Sequence, residues 1–161
     1  MRRAAKRGFT LVEILIVVII LGILAAIVIP QFTQASTQAK ESNLKTNLQT
    51  IRSQLLLFKM QHDAEMYPGA TFVAQMTTFT NSAGAAQAAS DATHNLGPYL
   101  QSIPTNPASS LNAVRIVNGA GTAFAAPTTD GGWWFNSTTG EFRADLKATW
   151  VQADGTQYNA L

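Results

Sequence analysis

The longest uninterrupted apolar stretch of the chain lies close to its N-terminus. Residues 14–29 contain no polar or charged side chain, and the stretch reaches back to Phe9 with only Thr10 and Glu13 as polar members. As a helix, residues 9–29 would be about 32 Å long, which matches a bilayer core of about 30 Å. The 161 residues leave room after this segment for one domain with a modest core.

Charge is distributed unevenly along the chain. Arg2, Arg3, Lys6 and Arg7 lie in the first eight residues, whereas all nine acidic residues follow Gly8. Without those eight residues, seven basic side chains face nine acidic ones, and the formal balance changes from +2 to −2. The basic pI therefore describes the N-terminus, and we expect no nucleic acid as primary partner. The chain has no cysteine, which excludes disulfides and thiolate metal sites.

A cleaved secretory signal is one interpretation of the N-terminal segment. Such signals have an apolar stretch of about 7–15 residues followed by small residues at the cleavage site. Here the apolar stretch is longer, and the nearest small-x-small site, residues 33–35, lies beyond Pro30. The sequence disfavours this interpretation.

A plain membrane anchor fits the length and the charges. The basic residues would hold the N-terminus in the cytoplasm and place everything after Pro30 outside. This interpretation leaves Glu13 unexplained, because a carboxylate costs about 2.5–3.5 kcal/mol at the centre of a membrane helix. The helical neighbours that follow it, Ile16, Val17 and Ile20, are apolar, so we expect Glu13 to lack a partner in its own helix.

A third interpretation accounts for all of these features. The stretch KRGFTLVE, residues 6–13, resembles the class III signal of type IV pilins and of type II secretion pseudopilins. The resemblance implies that a prepilin peptidase removes a leader, residues 1–8, by cutting after Gly8 on the cytoplasmic side, and methylates Phe9. It also implies that Glu13 meets the α-amine of a neighbouring subunit during assembly. Gly22 and Pro30 match further landmarks of the family.

Physical chemistry is consistent with this resemblance. Cleavage would expose an α-amine that is positive near neutral pH. A buried unpaired carboxylate is costly, so pairing would make Glu13 a device that fixes the register of stacked subunits. The alternative for Glu13 is that its side chain reaches toward the lipid headgroups.

Beyond Pro30 the apolar residues follow a single helical stripe. Their spacings of 4, 3, 4 and 3 are typical of an amphipathic helix, and the residues are Leu44, Leu48, Ile51, Leu55 and Phe58. We predict one helix from about residue 10 to about residue 62, bent or locally opened at Pro30 and weakened at Gly22. The predicted parts are a segment for membrane or filament core, residues 9–30, an amphipathic continuation, residues 31–66, and a globular head, residues 67–161.

The head shows strand and turn signals. We predict a loop or short irregular helix at residues 81–95, a strand at 113–117, a hairpin from 133–135 and 141–143, and a last strand at 149–152. A long helix followed by strands indicates an α+β fold in which the amphipathic half covers a small antiparallel sheet. The resemblance implies the same fold.

A second resemblance lies in the C-terminal half. Residues 97–104, 132–136 and 139–143 resemble the C-terminal region of major pseudopilins of type II secretion. Those proteins often carry an Asp-Pro-Trp segment and acidic residues that bind calcium in a C-terminal loop. This chain has Asn106, Pro107 and Ala108 at the matching place. We therefore expect no cofactor, with calcium as the open alternative.

Catalytic patterns are absent from the sequence. His62 and His94 are the only histidines, and we interpret His62 as part of a solvated helix end. The sequence has no phosphate-binding loop and no nucleophile elbow. Trp133, Trp134 and Trp150 could form a stacking platform, but burial in the core is the favoured interpretation. The sequence does not indicate an enzyme.

The sequence thus predicts a subunit that polymerises through its N-terminal helix into a type II secretion pseudopilus. The alternatives are a type IV pilus pilin, used for adhesion, motility or DNA uptake, and a membrane-anchored binding module that does not polymerise. Expected partners are further copies of the chain, other pseudopilins or pilins, the prepilin peptidase, the inner-membrane assembly platform and membrane lipid. The expected location is the bacterial inner membrane, with the head in the periplasm.

Overall fold

A single long helix dominates the first part of the chain. The computed structural model describes residues 8–152 and 155–161, so Arg2, Arg3, Lys6 and Arg7 lie outside the described residues. Helix α1, Leu11–Gln61, runs for 51 residues and includes Pro30, which confirms the predicted helix within one residue at each end. The chain divides into two compact units, Met1–Ala39 and Lys40–Leu161.

The second half of α1 carries the core of the second unit. All five members of the stripe are at most 1% exposed, and they join one core cluster with aromatic residues of the head. Arg52 fixes the helix to the head, because its Nε and Nη2 donate to the Phe142 carbonyl oxygen at 3.1 and 2.7 Å. The amphipathic stripe therefore packs as predicted.

A short helix and two very short strands follow α1. Helix α2, Phe72–Thr77, leads into β1, Phe79–Thr80, which pairs antiparallel with β2, Ala86–Gln87. The sequence did not predict α2. Residues 81–95 contain β2 within an otherwise irregular segment and form no helix.

A three-stranded sheet completes the core. Its strands are β3, Val114–Val117, β4, Trp133–Asn136, and β5, Phe142–Ala144. Strands β4 and β5 form the predicted antiparallel hairpin, whereas β3 joins β4 in parallel, which the sequence did not indicate. The α+β fold is confirmed.

The turn between β4 and β5 depends on two residues. The Asn136 Oδ1 accepts hydrogen bonds from the backbone N–H groups of Thr138 and Thr139 at 2.9 and 3.2 Å. Gly140 has φ of +76°, and a Cβ there would lie 2.2 Å from Cζ of Tyr67. This position therefore requires glycine for its backbone conformation and for space.

The strand predicted at residues 149–152 is wrong. A single bridge joins Val151 to Gln157, and a 3-10 turn, Tyr158–Ala160, follows. The dipeptide Asp154-Gly155 is a turn signal in the sequence; Asp154 lies outside the described residues, while the backbone N–H of Gly155 donates to the Gln152 carbonyl oxygen at 3.0 Å. A few backbone hydrogen bonds together with side-chain contacts, rather than a strand ladder, hold this end of the head. One of them is the Tyr158 hydroxyl, which donates to Glu41 on α1 at 3.0 Å.

Candidate functional site

The start of α1 is closed by a reciprocal pair of hydrogen bonds. The backbone N–H of Thr10 donates to Oε2 of Glu13 at 2.8 Å, and the backbone N–H of Glu13 donates to Oγ1 of Thr10 at 3.2 Å. The Thr10 hydroxyl also donates to the same Oε2 at 2.9 Å. This is a capping box, in which residues at the N-cap and three positions later satisfy each other's free backbone donors.

The expectation that Glu13 lacks a partner in its own helix is therefore wrong. The partner precedes Glu13 by three residues, whereas the sequence reasoning considered only residues that follow it. The pattern Thr-x-x-Glu before an apolar run was available as a signal. The carboxylate also lies in the first helical turn, where the helix dipole favours negative charge.

The helix surface that follows is apolar on every side and exposed. Large apolar side chains at residues 11–29 have at least half of their surface exposed. Within the described residues, α1 is the one helix long and apolar enough to cross a membrane, with a mean hydropathy of 3.3 in its most apolar 18-residue window and no burial there. This surface needs lipid or other protein to cover it.

The remaining sequence-predicted positions lie along this segment. Gly8 and Phe9 precede the helix, and Phe9 is 83% exposed. A Cβ on Gly8 or Gly22 would meet no atom within 4 Å, so neither glycine is required by packing in the single chain. Pro30 lies inside α1, where its ring nitrogen offers no hydrogen bond to the preceding turn.

An open cavity of the head has charged residues in its walls. Its volume is about 320 Å³, and its lining includes Arg52, Tyr67, Glu141 and Arg143. Burial and then the charge of Arg143 lower the pKa of Arg52, while Glu141 acts in the opposite direction. The Arg143 Nε donates to Glu141 Oε1. The charged groups therefore hold the fold together and form no acid–base or nucleophile arrangement.

The interpretation of His62 as a solvated helix end is wrong. Its side chain is buried and stacks on Phe58 with ring centroids 3.6 Å apart. One ring nitrogen lies 2.7 Å from the Phe58 carbonyl oxygen and the other 2.9 Å from the Thr80 hydroxyl. His62 thus closes the C-terminal end of α1 as a structural residue. His94 instead bonds to Asp91 in an exposed turn.

The tryptophans lie in the core or at its edge, as predicted. Trp133 and Trp134 are fully buried, and Trp150 packs against the core cluster. The indole N–H of Trp133 donates to the Pro104 carbonyl oxygen at 2.7 Å. The three rings do not form an open stacking platform.

Comparisons with known proteins find one family model and several relatives that match part of the chain. A family model described as the prokaryotic N-terminal methylation motif matches residues 3–29. The type II secretion system core protein G of Pseudomonas aeruginosa is 44% identical over 68 residues, which are 42% of this chain and 46% of that protein. The same-named protein of Klebsiella michiganensis is 37% identical over 68 residues, again 42% of this chain and 46% of that protein.

Pilins match over a shorter stretch. The type IV major pilin protein PilA of Myxococcus xanthus is 54% identical over 46 residues, which are 29% of this chain and 21% of that protein. The chain thus spans less than half the length of each of these curated relatives. No solved structure matches the chain. The chain carries an N-terminal methylation motif and is related to type II secretion core proteins and type IV pilins.

Proposed function

We propose that this chain is the precursor of a subunit that polymerises through α1 into a type II secretion pseudopilus, which supports protein export across the outer membrane. The observation that carries the proposal is the exposed, uncharged surface of residues 14–29, preceded by one capped carboxylate. Such a surface is stable in lipid or against other helices. A subunit that polymerises is surrounded by lipid before assembly and by the helices of identical subunits afterwards. Other pseudopilins of the same filament are further partners.

Processing comes first in this proposal. The prepilin peptidase cuts after Gly8 and methylates Phe9, and the absence of a side chain at Gly8 lets the enzyme approach the backbone closely. Both residues of the capping box, Thr10 and Glu13, lie after the cut. The box therefore persists in the mature subunit, and the new α-amine lies one residue before it.

The capping box suggests how Glu13 takes part in assembly. Oε2 accepts two of the three bonds with Thr10, and in the third the Glu13 backbone N–H donates to the Thr10 hydroxyl. Oε1 of Glu13 has no hydrogen-bond partner among the described residues. In our proposal Oε1 accepts the methylated α-amine of a neighbouring Phe9. The cap holds the carboxylate in one orientation, so the ion pair forms without further ordering of the side chain.

The same proposal gives the chain its location. The subunit is held in the bacterial inner membrane by residues 9–30, with the N-terminus in the cytoplasm and the head in the periplasm. Gly22 and Pro30 supply the points at which the segment adapts when it leaves lipid for the assembly platform and the filament.

A type IV pilus is the second candidate, because the Myxococcus xanthus pilin shares 54% identity over 46 residues. The alignment with the Pseudomonas aeruginosa secretion protein is longer, at 68 residues, and favours the pseudopilus. The lack of cysteine is in line with this choice, since many pilins close a C-terminal loop with a disulfide.

Two variants of Glu13 test the assembly step. Glu13→Ala removes both the charge and the cap, whereas Glu13→Gln keeps a side chain that suits a capping box and removes only the charge. We expect both variants to insert and to be cleaved normally, and both to be depleted from sheared or cross-linked filaments. Normal filament yield from Glu13→Gln would remove the ion pair from the mechanism.

Intact-mass analysis of membranes tests processing. With the peptidase present, the dominant species should begin at a methylated Phe9, and replacing Gly8 with leucine should leave the precursor uncut. A dominant wild-type species that retains residues 1–8 would contradict the proposal. Deletion of type II secretion genes is then compared with deletion of pilus genes. Loss of the filaments in the first case indicates a pseudopilus, and loss in the second indicates a type IV pilus.

A further inference from the structure

Asp130 and Asp145 lie near a backbone contact that forms where the chain leaves β5. Asp145 directly follows β5, and its backbone oxygen accepts a hydrogen bond from the N–H of Gly131 at 2.7 Å. Asp130 directly precedes Gly131 in the chain and so lies next to a residue that is hydrogen-bonded to Asp145. The resemblance to major pseudopilins implies calcium in a C-terminal loop, so this pair of carboxylates is the place to test the fit of a divalent cation.

The Asp145 carboxylate is engaged by a guanidinium. Arg115 on β3 donates from Nε to Oδ2 at 2.8 Å and from Nη2 to Oδ1 at 2.5 Å. The Asp145 side chain is almost completely buried. The hydrogen bond to Asp145, opposed by burial, raises the pKa of Arg115, so the guanidinium keeps its positive charge beside this carboxylate.

The Asp130 carboxylate is engaged by Lys147 and Trp150. Its Oδ1 accepts from the backbone N–H of Lys147 at 3.1 Å and from the Trp150 indole N–H at 2.9 Å. The Lys147 ammonium lies 3.5 Å from Oδ2. Burial raises the pKa of Asp130, but these bonds and the lysine charge outweigh it, and the pKa lies below its ordinary value.

Asn106 occupies the place at which the resemblance expects an aspartate. It is fully buried, and its Nδ2 donates to the Gly132 carbonyl oxygen at 2.8 Å while its Oδ1 accepts from the Ala108 N–H at 3.0 Å. A carboxylate cannot donate that first bond. The amide therefore has a structural role that an acidic metal ligand could not fill.

These donors do not suit calcium. Ca²⁺ requires six to eight oxygen ligands, and residues 8–152 with 155–161 contain no group of three or more His, Asp or Glu side chains placed around a common point. The two available carboxylates already contact an ammonium and a guanidinium, whose charges would repel a divalent ion. Asp154 lies outside the described residues. The unfolding experiment described below uses the full chain and therefore also detects calcium held with the help of Asp154.

We propose that the Lys147 ammonium and the Arg115 guanidinium hold the segment 145–150 of this chain in place, as a divalent cation would do in a calcium-binding loop. Arg115 ties the start of the segment to β3, and Asp130 ties its end through Lys147 and Trp150. The head then folds without calcium, and its stability depends instead on Asp130 remaining ionised. This inference concerns the single chain, so its test needs no filament.

The first test compares thermal unfolding of the full chain in detergent with calcium chloride and with EGTA. A structural calcium site saturated a hundredfold above its Kd would raise Tm by on the order of 10 °C. We expect the two curves to coincide. A higher Tm in calcium would overturn the proposal, whether or not Asp154 supplies a ligand.

The second test removes one cation from a partly exposed position, where misfolding is not expected. Lys147→Met should lower Tm by roughly 2–6 °C at neutral pH, since a partly buried ion pair is lost. Lys45→Met on the exposed side of α1 is the matched control and should leave Tm unchanged. A Tm for Lys147→Met equal to that of the control would contradict the proposal.

The pH dependence of that difference identifies the partner. Because the folded pKa of Asp130 is lowered, its contribution is present above the unfolded pKa and is lost as pH falls through the folded pKa. The Tm difference between wild type and Lys147→Met should therefore disappear in acid, and Asp130→Asn should remove it at neutral pH. A difference that persists in Asp130→Asn would show that Lys147 stabilises the head through another group.

Discussion

The first half of α1 exposes its large apolar side chains, whereas the second half buries five of them almost completely against the head. Both halves have the same backbone structure and belong to one continuous helix. They differ in where the apolar residues lie around the helix axis. Residues 14–29 are apolar on all sides, while the second half buries one apolar stripe and is mostly polar elsewhere, although Leu56, Leu57 and Met60 are exposed.

The difference shows that secondary structure alone does not decide what covers a helix. A stripe can be covered by the chain's own sheet, and its polar remainder stays in water. A surface that is apolar on all sides cannot be covered from one direction. It requires a solvent or neighbours that surround it, so in the proposed function one half of the helix serves folding and the other serves assembly.

A matched pair of substitutions gives the largest expected contrast. Ile51→Ala should lower the free energy of unfolding of the head by about 2–5 kcal/mol, because it leaves a cavity in a packed core. Ile20→Ala should leave that free energy unchanged, since Ile20 lies outside the unit Lys40–Leu161 and about half of its surface is exposed. Denaturant unfolding followed by tryptophan fluorescence measures both, and equal effects would remove the distinction between the halves.

The polar end of the first half gives a smaller effect. Thr10→Val removes the hydroxyl that caps α1, which typically costs about 0.5–2 kcal/mol, and leaves Oε2 of Glu13 with only the backbone N–H of residue 10 as donor. We expect normal cleavage but a reduced filament yield, intermediate between wild type and Glu13→Ala. Thr10→Ser keeps the hydroxyl and should behave as wild type. Equal filament yields from the valine and serine variants would show that the cap does not support assembly.

The smallest effect is spectroscopic and belongs to the second half. Burial and then the hydrogen bond and charge of Glu41 raise the pKa of Tyr158 to about 12. Because the folded pKa is raised, the contribution of the contact is present below the unfolded pKa near 10 and is lost as pH rises toward the folded value. Burial also raises the pKa of Tyr99, so ultraviolet titration should show late titration of both residues, and Glu41→Gln should shift only the Tyr158 signal toward its ordinary range.

The sequence predicted those parts of the fold that depend on local patterns. The stripe from Leu44 to Phe58 repeats at helical spacing, and the hairpin has an aromatic strand on each side of a Gly140 turn. Each pattern lies within a few residues of its own partners. The parallel pairing of β3 with β4 was not predictable in this way, because residues 118–132 separate the two strands.

The misses have specific physical causes. Helix α2 is six residues long and buries Phe72 and Met76 by tertiary contact, without caps or charges that would mark it in the sequence. His62 is buried because its second ring nitrogen meets Thr80, eighteen positions away. The bond of Glu13 to Thr10 was readable from the sequence, and it was missed because only the residues after Glu13 were considered.

The uncharged surface of residues 14–29 also restricts where a polymer of this chain can grow. A subunit that entered water before joining the polymer would expose this whole surface, and each buried CH₂ group contributes about 0.8 kcal/mol. Transfer must therefore occur directly from lipid to the end of the polymer that touches the bilayer. Elongation would be confined to that pole, older subunits would be pushed outward, and the free tip could gain none.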